Sequence, residues 1–233
     1  MKLSDQIRDD FFQFQGRDFY NSSFNLKWFS DLNIEPRVIF DVGSYDFGDS
    51  IRFKQEFNNI EVFAFEADPE RYDSFYKYAN DIGIITENKA LYKDNGKISF
   101  YQSSILNTDE NNFYEDNKRS GQGSIYKHTN NCKKIHPHIK QEEYPIEVNC
   151  IRIDEYCYLN NIFSIDLAHI DVEGSEMDVI EGMGNIRPKL LYIETQRDFF
   201  LNTSSIENIH DRLLDMGYEL ILDLISDRLY ILK

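Results

Sequence analysis

Four short apolar runs constrain this chain more than any other feature: RVIFDVG (37–43), EVFAFEAD (61–68), IDLAHIDVEG (165–174) and KLLYIET (189–195). Each is continuous rather than alternating and carries an acid or a glycine near its end. A strand that is apolar on both sides is covered on both sides, which is how strands of a parallel sheet read. IGIITEN (82–88) is a weaker run of the same kind. Helical patterns at roughly 49–57, 69–80, 174–183 and 204–216 separate the runs. Strand and helix in alternation imply right-handed crossovers and a doubly wound, mostly parallel α/β sheet. At the end, GYELILDL, a short ISD turn and RLYILK read as a hairpin, so the sheet is expected to finish with an antiparallel edge strand.

With 233 residues the chain has room for one good-sized domain and a small appendage. Residues 1–36 are rich in aromatics (Phe11, Phe12, Phe14, Phe19, Tyr20, Phe24, Trp28, Phe29) and read as a helical packing or lid segment ahead of a domain over 37–233. Periodicity fails between about 102 and 145, a polar, Asn-rich stretch too long for a plain connection. It follows the third strand on the expected ligand side and reads as a substrate-facing insertion. A formal charge of −16 argues against a sequence-independent nucleic-acid binder. A hydrophobic content of 41% excludes a disordered chain. No run of about 18 apolar residues exists and MKLSDQIRDDFFQFQ lacks the apolar part of a signal peptide, so a soluble cytoplasmic protein without membrane insertion is expected. Cys132, Cys150 and Cys157 form no CxxC pair, against both a disulfide framework and a structural zinc site.

In open α/β sheets, ligands bind beyond the carboxyl ends of the strands, where strand order reverses. The first run leads into Asp41-Val42-Gly43-Ser44-Tyr45-Asp46-Phe47-Gly48. Gly43 permits a tight turn with backbone close to a ligand, and Gly48 would open the next helix. A pyrophosphate fingerprint needs GxGxxG; here position 45 is Tyr and the spacing is GxxxxG. Glu66 closes the second run, 25 residues after Asp41, where an acid accepts hydrogen bonds from adenosine ribose hydroxyls. Loop and acid together point to a nucleoside.

These residues also carry a resemblance. VIFDVGS (38–44), VFAFEADPERY (62–72), ENKALYKDNGKISFY (87–101), IRIDEY (151–156), AHIDVEGSEMDVIEGM (168–183) and LLYIET (190–195) are similar, in order and spacing, to the FkbM-type methyltransferases. This is a branch of the class I S-adenosylmethionine-dependent enzymes. The resemblance covers about 37–196 and implies a seven-stranded Rossmann-like sheet and methyl transfer to oxygen, typically on a sugar or natural-product hydroxyl. By position it implies that Asp41, Gly43 and Ser44 hold the methionine end of the cofactor. Glu66 would take the ribose hydroxyls, with Ala67 next to it in the site, and Asn88 and Ala90 would lie near the adenine. Asp171 and Glu173 match the family's DxEG segment, beside the methyl group. The glycine loop looks one residue longer than the family's GxxxG, placing Gly48 out of step, and His169 stands where the family commonly has Lys.

A hydroxyl nucleophile needs help to lose its proton. The candidates are His169, Asp171 and Glu173, with Glu176 as a helix-capping acid and Glu194 bordering the same cleft. His169 also reads as a hydrogen-bonded core histidine. Two carboxylates can share Mg²⁺ with waters, but no third ligand is identifiable, and the expected site is metal-free. His128, His136 and His138 in the insertion suggest a base more readily than zinc; Ser124, Tyr126 and Lys127 lie within reach of a substrate or in a solvated loop. The expected function is thus an S-adenosylmethionine-dependent O-methyltransferase, releasing S-adenosylhomocysteine and acting on a hydroxyl of a small polar acceptor, with a sugar or glycoconjugate the expected class. A nicotinamide-dependent oxidoreductase and a non-catalytic cofactor-binding module are the alternatives. The aromatic N-terminal segment suits a lid or a subunit contact, which leaves a homo-oligomer open.

Overall fold

The computed structural model describes residues 22–106, 119–195, 199–224 and 226–233. Along the chain lie α1 (Lys27–Asp31), β1 (Val38–Val42), α2 (Gly48–Glu56), β2 (Glu61–Phe65), α3 (Pro69–Asp81), β3 (Ile85–Glu87), β4 (Ala90–Leu91), β5 (Gly96–Phe100) and β6 (Ser103–Ile105). They are followed by α4 (Asn130–Ile135), β7 (Ile139–Gln141), β8 (Ile146–Ile151), α5 (Ile153–Leu159), β9 (Leu167–Ile170), α6 (Glu176–Gly182), β10 (Leu190–Glu194), α7 (Ile206–Asp215), β11 (Tyr218–Asp223) and β12 (Asp227–Leu232). Of the expected 1–36 segment only α1 and its surroundings are described. The first 21 residues and the stretch 107–118 of the insertion lie outside the described residues.

Seven strands form one sheet in the order β11-β12-β10-β9-β1-β2-β3. β1 pairs in parallel with both β2 and β9, and β10 in parallel with β9. Alternate side chains of the continuous apolar runs supply two different cores. Phe40, Val42, Phe65, Ala168, Ile170, Leu191 and Ile193 face one layer together with Val179 and Ile180 of α6 and Ile209 and Leu213 of α7. Ile39, Val62, Ala64, Leu167, Leu190 and Tyr192 face the other, with Phe29, Ile51, Phe53, Phe75 and Ala79 from α1, α2 and α3. The sheet is doubly wound, as the runs predict, and its strand order reverses between β9 and β1.

The C-terminal hairpin closes the sheet, and the edge strand, β11, runs antiparallel to its neighbour, as expected. β12 lies between β10 and β11 and is antiparallel to both. Burial explains the order: Leu229 packs into one core and Tyr230 into the other, whereas β11 alternates buried with solvent-facing residues. The strand that can be covered on both faces takes the inner position. A separate three-stranded sheet, β4-β8-β5, was not signalled by continuous apolar runs. Its long strand β8 alternates, burying Val148 and Cys150 while Glu147 and Asn149 stay exposed. The described part of the insertion adds the antiparallel pair β6–β7 and the short helix α4. No helix among the described residues is long and apolar enough to cross a membrane.

Candidate active site

The chain turns sharply after β1. Gly43 has φ +84°, and a Cβ there would stand 1.7 Å from the backbone carbonyl oxygen of Asp171. Only glycine allows that approach. The amides of Gly43 and Ser44 both donate to the Phe65 carbonyl (2.9 and 3.0 Å), and Asp171 N donates to the Val42 carbonyl (2.9 Å). The ends of β1, β2 and β9 are therefore stitched together around this turn. Position 47, where GxxxG counted from Gly43 needs its second glycine, is Phe47 with φ 62°, left-handed as a glycine would be. Its ring is fully buried, which offsets the backbone strain. Gly48 is simply the first residue of α2, its amide donating to Asp46 Oδ1 (3.0 Å).

Glu66 follows β2 and is buried. Its Oε2 accepts from the Tyr45 amide and its Oε1 from the Asp68 amide, both at 2.7 Å. Burial raises its carboxyl to about 7 against the pull of these amides. Asn88 Nδ2 donates to the carbonyls of Glu66 (2.8 Å) and Ala67 (3.3 Å), bracing the segment from behind. Sequence reasoning missed Arg71. Asp68 caps α3 and Pro69 opens it, which sets Arg71 on the turn facing the glycine loop. Its guanidinium lies 3.7 Å from the Tyr45 ring centre and 4.8 Å from that of Phe75. The only hint in the sequence is the DPER start of the helix.

At the ends of β9 and β10 the side chains are acidic. Asp41, His169 and Tyr192 stand in register on three neighbouring strands. His169 Nδ1 meets Asp41 Oδ1 at 2.8 Å and its ring stacks on Tyr192 at 5.5 Å. Burial opposes a charged imidazole, but the Asp41 hydrogen bond and the charges of Asp49 and Asp41 outweigh it and raise the His169 pKa. Beyond β9, Glu173 is left-handed (φ 53°) and is followed by Gly174 (φ 100°), whose missing side chain leaves space for Phe200 and Thr203. Glu173 Oε2 is buried and has no hydrogen-bond partner among the described residues. Glu176 Oε1 caps the turn by accepting from Gly174 N (2.9 Å), as a first-turn acid should. Asp171 is held well above the usual carboxylate range by burial, by the charges of Glu194 and Glu173, and by a hydrogen bond with Glu194. Glu173 is raised by burial and by Glu194 and Glu176. Burial pushes Glu176 up to about 7.

The insertion closes over these acids. Ser124 exchanges two backbone hydrogen bonds with Tyr101, and its Oγ donates to the Glu173 carbonyl at 2.6 Å. Tyr126 Oη donates to Asp178 Oδ2 at 2.7 Å, and Lys93 pairs with Asp178 Oδ1 at 2.9 Å. Gly121 lies against the Tyr45 ring. Of the three insertion histidines only His136 borders the cavity, edge-on to Phe199 at 5.3 Å. His128 is buried against Phe200, its Nε2 3.0 Å from the Gln122 carbonyl, and burial lowers its pKa. His138, Tyr126 and Lys127 stand outside the cavity wall.

One cavity of about 760 Å³ unites the rest. Asp41, Gly43, Ser44, Glu66, Ala67, Ala90, His169, Asp171, Glu173 and Glu194 all line it; Gly48, Asn88 and Glu176 do not. The insertion contributes Gln122, Asn131 and His136 to the opposite wall. The volume is that of a site for a sizeable small molecule. No group of three or more His, Cys, Asp or Glu side chains is placed to hold a metal ion among the described residues.

Comparison with known proteins identifies the family of the chain. The sequence model of the family described as Methyltransferase FkbM domain matches residues 41–220. A curated relative, 2-O-methyltransferase NoeI of Sinorhizobium fredii (strain NBRC 101917 / NGR234), is 29% identical over 168 residues, 68% of this chain and 62% of that protein. The match therefore spans less than two thirds of the relative. Among solved structures, precorrin-6y C5,15-methyltransferase from Geobacter metallireducens GS-15 is similar with a TM-score of 0.43 and 11% identity, over 88% of this chain and 85% of the other.

Proposed function

This chain belongs to the FkbM methyltransferase domain family; from that premise we propose that it is a methyltransferase that uses S-adenosylmethionine to methylate a hydroxyl of a saccharide or similar polyhydroxylated acceptor. One observation carries the reading: Glu66, held by two backbone amides, and the acids Asp171 and Glu173 face a single cavity. A carboxylate with its geometry fixed by amides suits a pair of ribose hydroxyls. Gly43 lets the Asp171 carbonyl close on the turn, and Asp41, Gly43 and Ser44 line the same cavity as Glu66. The fit is good at both ends.

When bound, the cofactor supplies a methyl group on a positively charged sulfur. The residues of this chain have to align an acceptor oxygen with that methyl and remove the hydroxyl proton. Alignment alone is worth up to roughly 7–11 kcal/mol. Glu173 Oε2, buried without a partner among the described residues, offers a hydrogen bond that an entering hydroxyl would fill. Asp171 and Glu173, held above the usual carboxylate range, are bases of useful strength near neutrality. His169 serves them indirectly, by fixing Asp41 under the glycine turn. The insertion presents amide and imidazole groups from Gln122, Asn131 and His136, and Phe199, beyond β10, adds an aromatic ring. That mixture suits a sugar ring, which has hydroxyl edges and C–H faces, and the relative named as a 2-O-methyltransferase supports oxygen as the atom methylated.

Calorimetric titration tests the cofactor. S-adenosylmethionine should bind and NADH should not, and Glu66→Ala should weaken binding by about 100-fold, the loss of two charge-assisted hydrogen bonds. Binding of NADH in place of S-adenosylmethionine would overturn the proposal. For the acceptor, radiolabelled methyl groups should appear in an alkali-stable linkage on saccharides. Label released by mild base would indicate an ester and a carboxyl acceptor instead.

A further inference from the structure

Arg71 lines the cavity and is only 2% exposed. Its Nε, Nη1 and Nη2 are all buried, and none has a hydrogen-bond partner among the described residues. Arg52, Arg119, Arg152 and Arg228, by contrast, each donate to a carboxylate. A guanidinium carries five N–H donors, and a buried donor left unfilled is costly. The rings of Tyr45 and Phe75 meet the guanidinium at 3.7 and 4.8 Å. Such contacts favour the charge but leave the N–H edge open. Neither Glu66 nor Asp68 serves it. Glu66 has its two oxygens on the amides of Tyr45 and Asp68, and Asp68 Oδ1 accepts from Glu70 N and Gln102 Nε2, each at 2.9 Å. Two other basic side chains of the cavity wall are matched: Lys89 pairs with Glu87 at 2.6 Å and His169 with Asp41 at 2.8 Å.

Resting on the methyltransferase reading, we propose that Arg71 is a subsite for an anionic group of the acceptor, so that the saccharide methylated is an acidic one bearing a carboxylate or a phosphate. Two parallel N–H groups of a guanidinium match two oxygens of either group. The cofactor leaves the subsite open. Its nucleoside end, at Glu66, is uncharged, and its amino-acid end falls to Asp41, Gly43 and Ser44. Tyr45 is the cover. Its backbone is left-handed (φ 51°) and its amide is tied to Glu66 at 2.7 Å, so uncovering Arg71 falls to the ring. That ring is partly buried and meets Gly121 of the insertion, which has no side chain to obstruct it. A turn about the Tyr45 Cα–Cβ bond bares the guanidinium edge and leaves the amide on Glu66 in place. A formal charge of −16 repels anions at long range, so selection of an acidic acceptor has to come from a cation inside the cavity.

Inorganic phosphate is the probe, titrated at constant ionic strength into protein saturated with S-adenosylhomocysteine and followed by phosphorus NMR line width. The titration is run at about pH 8.5, above the range in which Glu66 titrates, so that loss of the Arg71 charge does not act through Glu66. Phosphate should saturate on the wild-type protein and bind ~10-fold or more weakly to Arg71→Gln. Tyr45→Ala, which removes the cover and keeps the guanidinium, should bind it more tightly than the wild type. Should Arg71→Gln fail to fold, the wild-type and Tyr45→Ala titrations decide. Phosphate that binds neither of these, or that binds the wild type and Arg71→Gln equally, would overturn the subsite. Phosphate excluded by S-adenosylhomocysteine but not by 5′-methylthioadenosine, which lacks the amino-acid end, would give Arg71 to the cofactor's own carboxylate and overturn the acidic acceptor. Each of these results leaves the methyltransferase reading standing, because S-adenosylhomocysteine is bound throughout. No binding of S-adenosylhomocysteine would overturn both.

Discussion

A left-handed backbone at Glu173 costs a residue with a side chain roughly 1–2 kcal/mol, a penalty glycine escapes. Its carboxyl group is also buried among other acids. Both costs vanish in Glu173→Gly. If the carboxylate removes the acceptor's proton, this variant should melt several degrees higher while turnover falls by 10²-fold or more. Thermal denaturation and a methyl-transfer assay on one preparation check the pair; a stabilised enzyme of normal activity would remove Glu173 from the chemistry. Gly43 predicts the reverse. In Gly43→Ala the new methyl would stand 1.7 Å from the Asp171 carbonyl, and backbone has to move. That variant should be destabilised by roughly 1–3 kcal/mol and lose cofactor affinity together. Asp41, Gly43, Glu66 and Asp171 could be picked out of the sequence because each stands where an apolar run ends. Arg71 and Tyr45 could not, since their stacking depends on how a helix and a loop meet in space.

Between elements, Ser124 joins the insertion to the turn ahead of α6. Its Oγ donates to the Glu173 carbonyl and accepts from Tyr126 N (3.0 Å). Ser124→Ala should leave both groups unsatisfied, at about 1–3 kcal/mol. Hydrogen exchange should then quicken across 173–182, with kcat reduced and the Kd for S-adenosylmethionine unchanged. Unaltered exchange there would mean the latch does not hold the turn. The parallel strands were recognisable from continuous apolar runs, and their helices from 3.6-residue spacing. β4, β5 and β8 were not, because two are short or solvent-facing and the third alternates. The inner place of β12 was hidden for another reason: pairing across two partners is decided by which strand can be covered on both faces, not by the turn that precedes it.

Across the whole molecule the buried acids give stability an unusual pH dependence. Unfolded, these carboxyls ionise near 4; folded, Asp227 stands at about 6, Glu66 and Glu176 at about 7, and Asp171 and Glu173 are raised as well. Between these limits the folded chain keeps protons that the unfolded chain has released, so stability declines as pH rises through the range. Asp166 works in the opposite sense. Burial resists its ionisation, but Lys189 and the amides of Val38 and Arg37 hold its pKa low, so its contribution is lost only in stronger acid. Without ligand, Tm should therefore be higher at about pH 5.5 than at pH 8, and a bound cationic cofactor should narrow the gap. A Tm that climbs steadily to pH 8 would contradict this charge assignment. The position of β12 has a further consequence, in time rather than in energy. Every other strand of the main sheet precedes it in the chain, and until it has been synthesised β10 keeps an open apolar edge while β11 has nothing to pair with. The nascent chain thus carries a nearly complete sheet that any other unfinished copy could extend. Residues 227–232 act as the closing stitch, and a ribosome pausing just ahead of them should be the moment at which this protein most needs a chaperone.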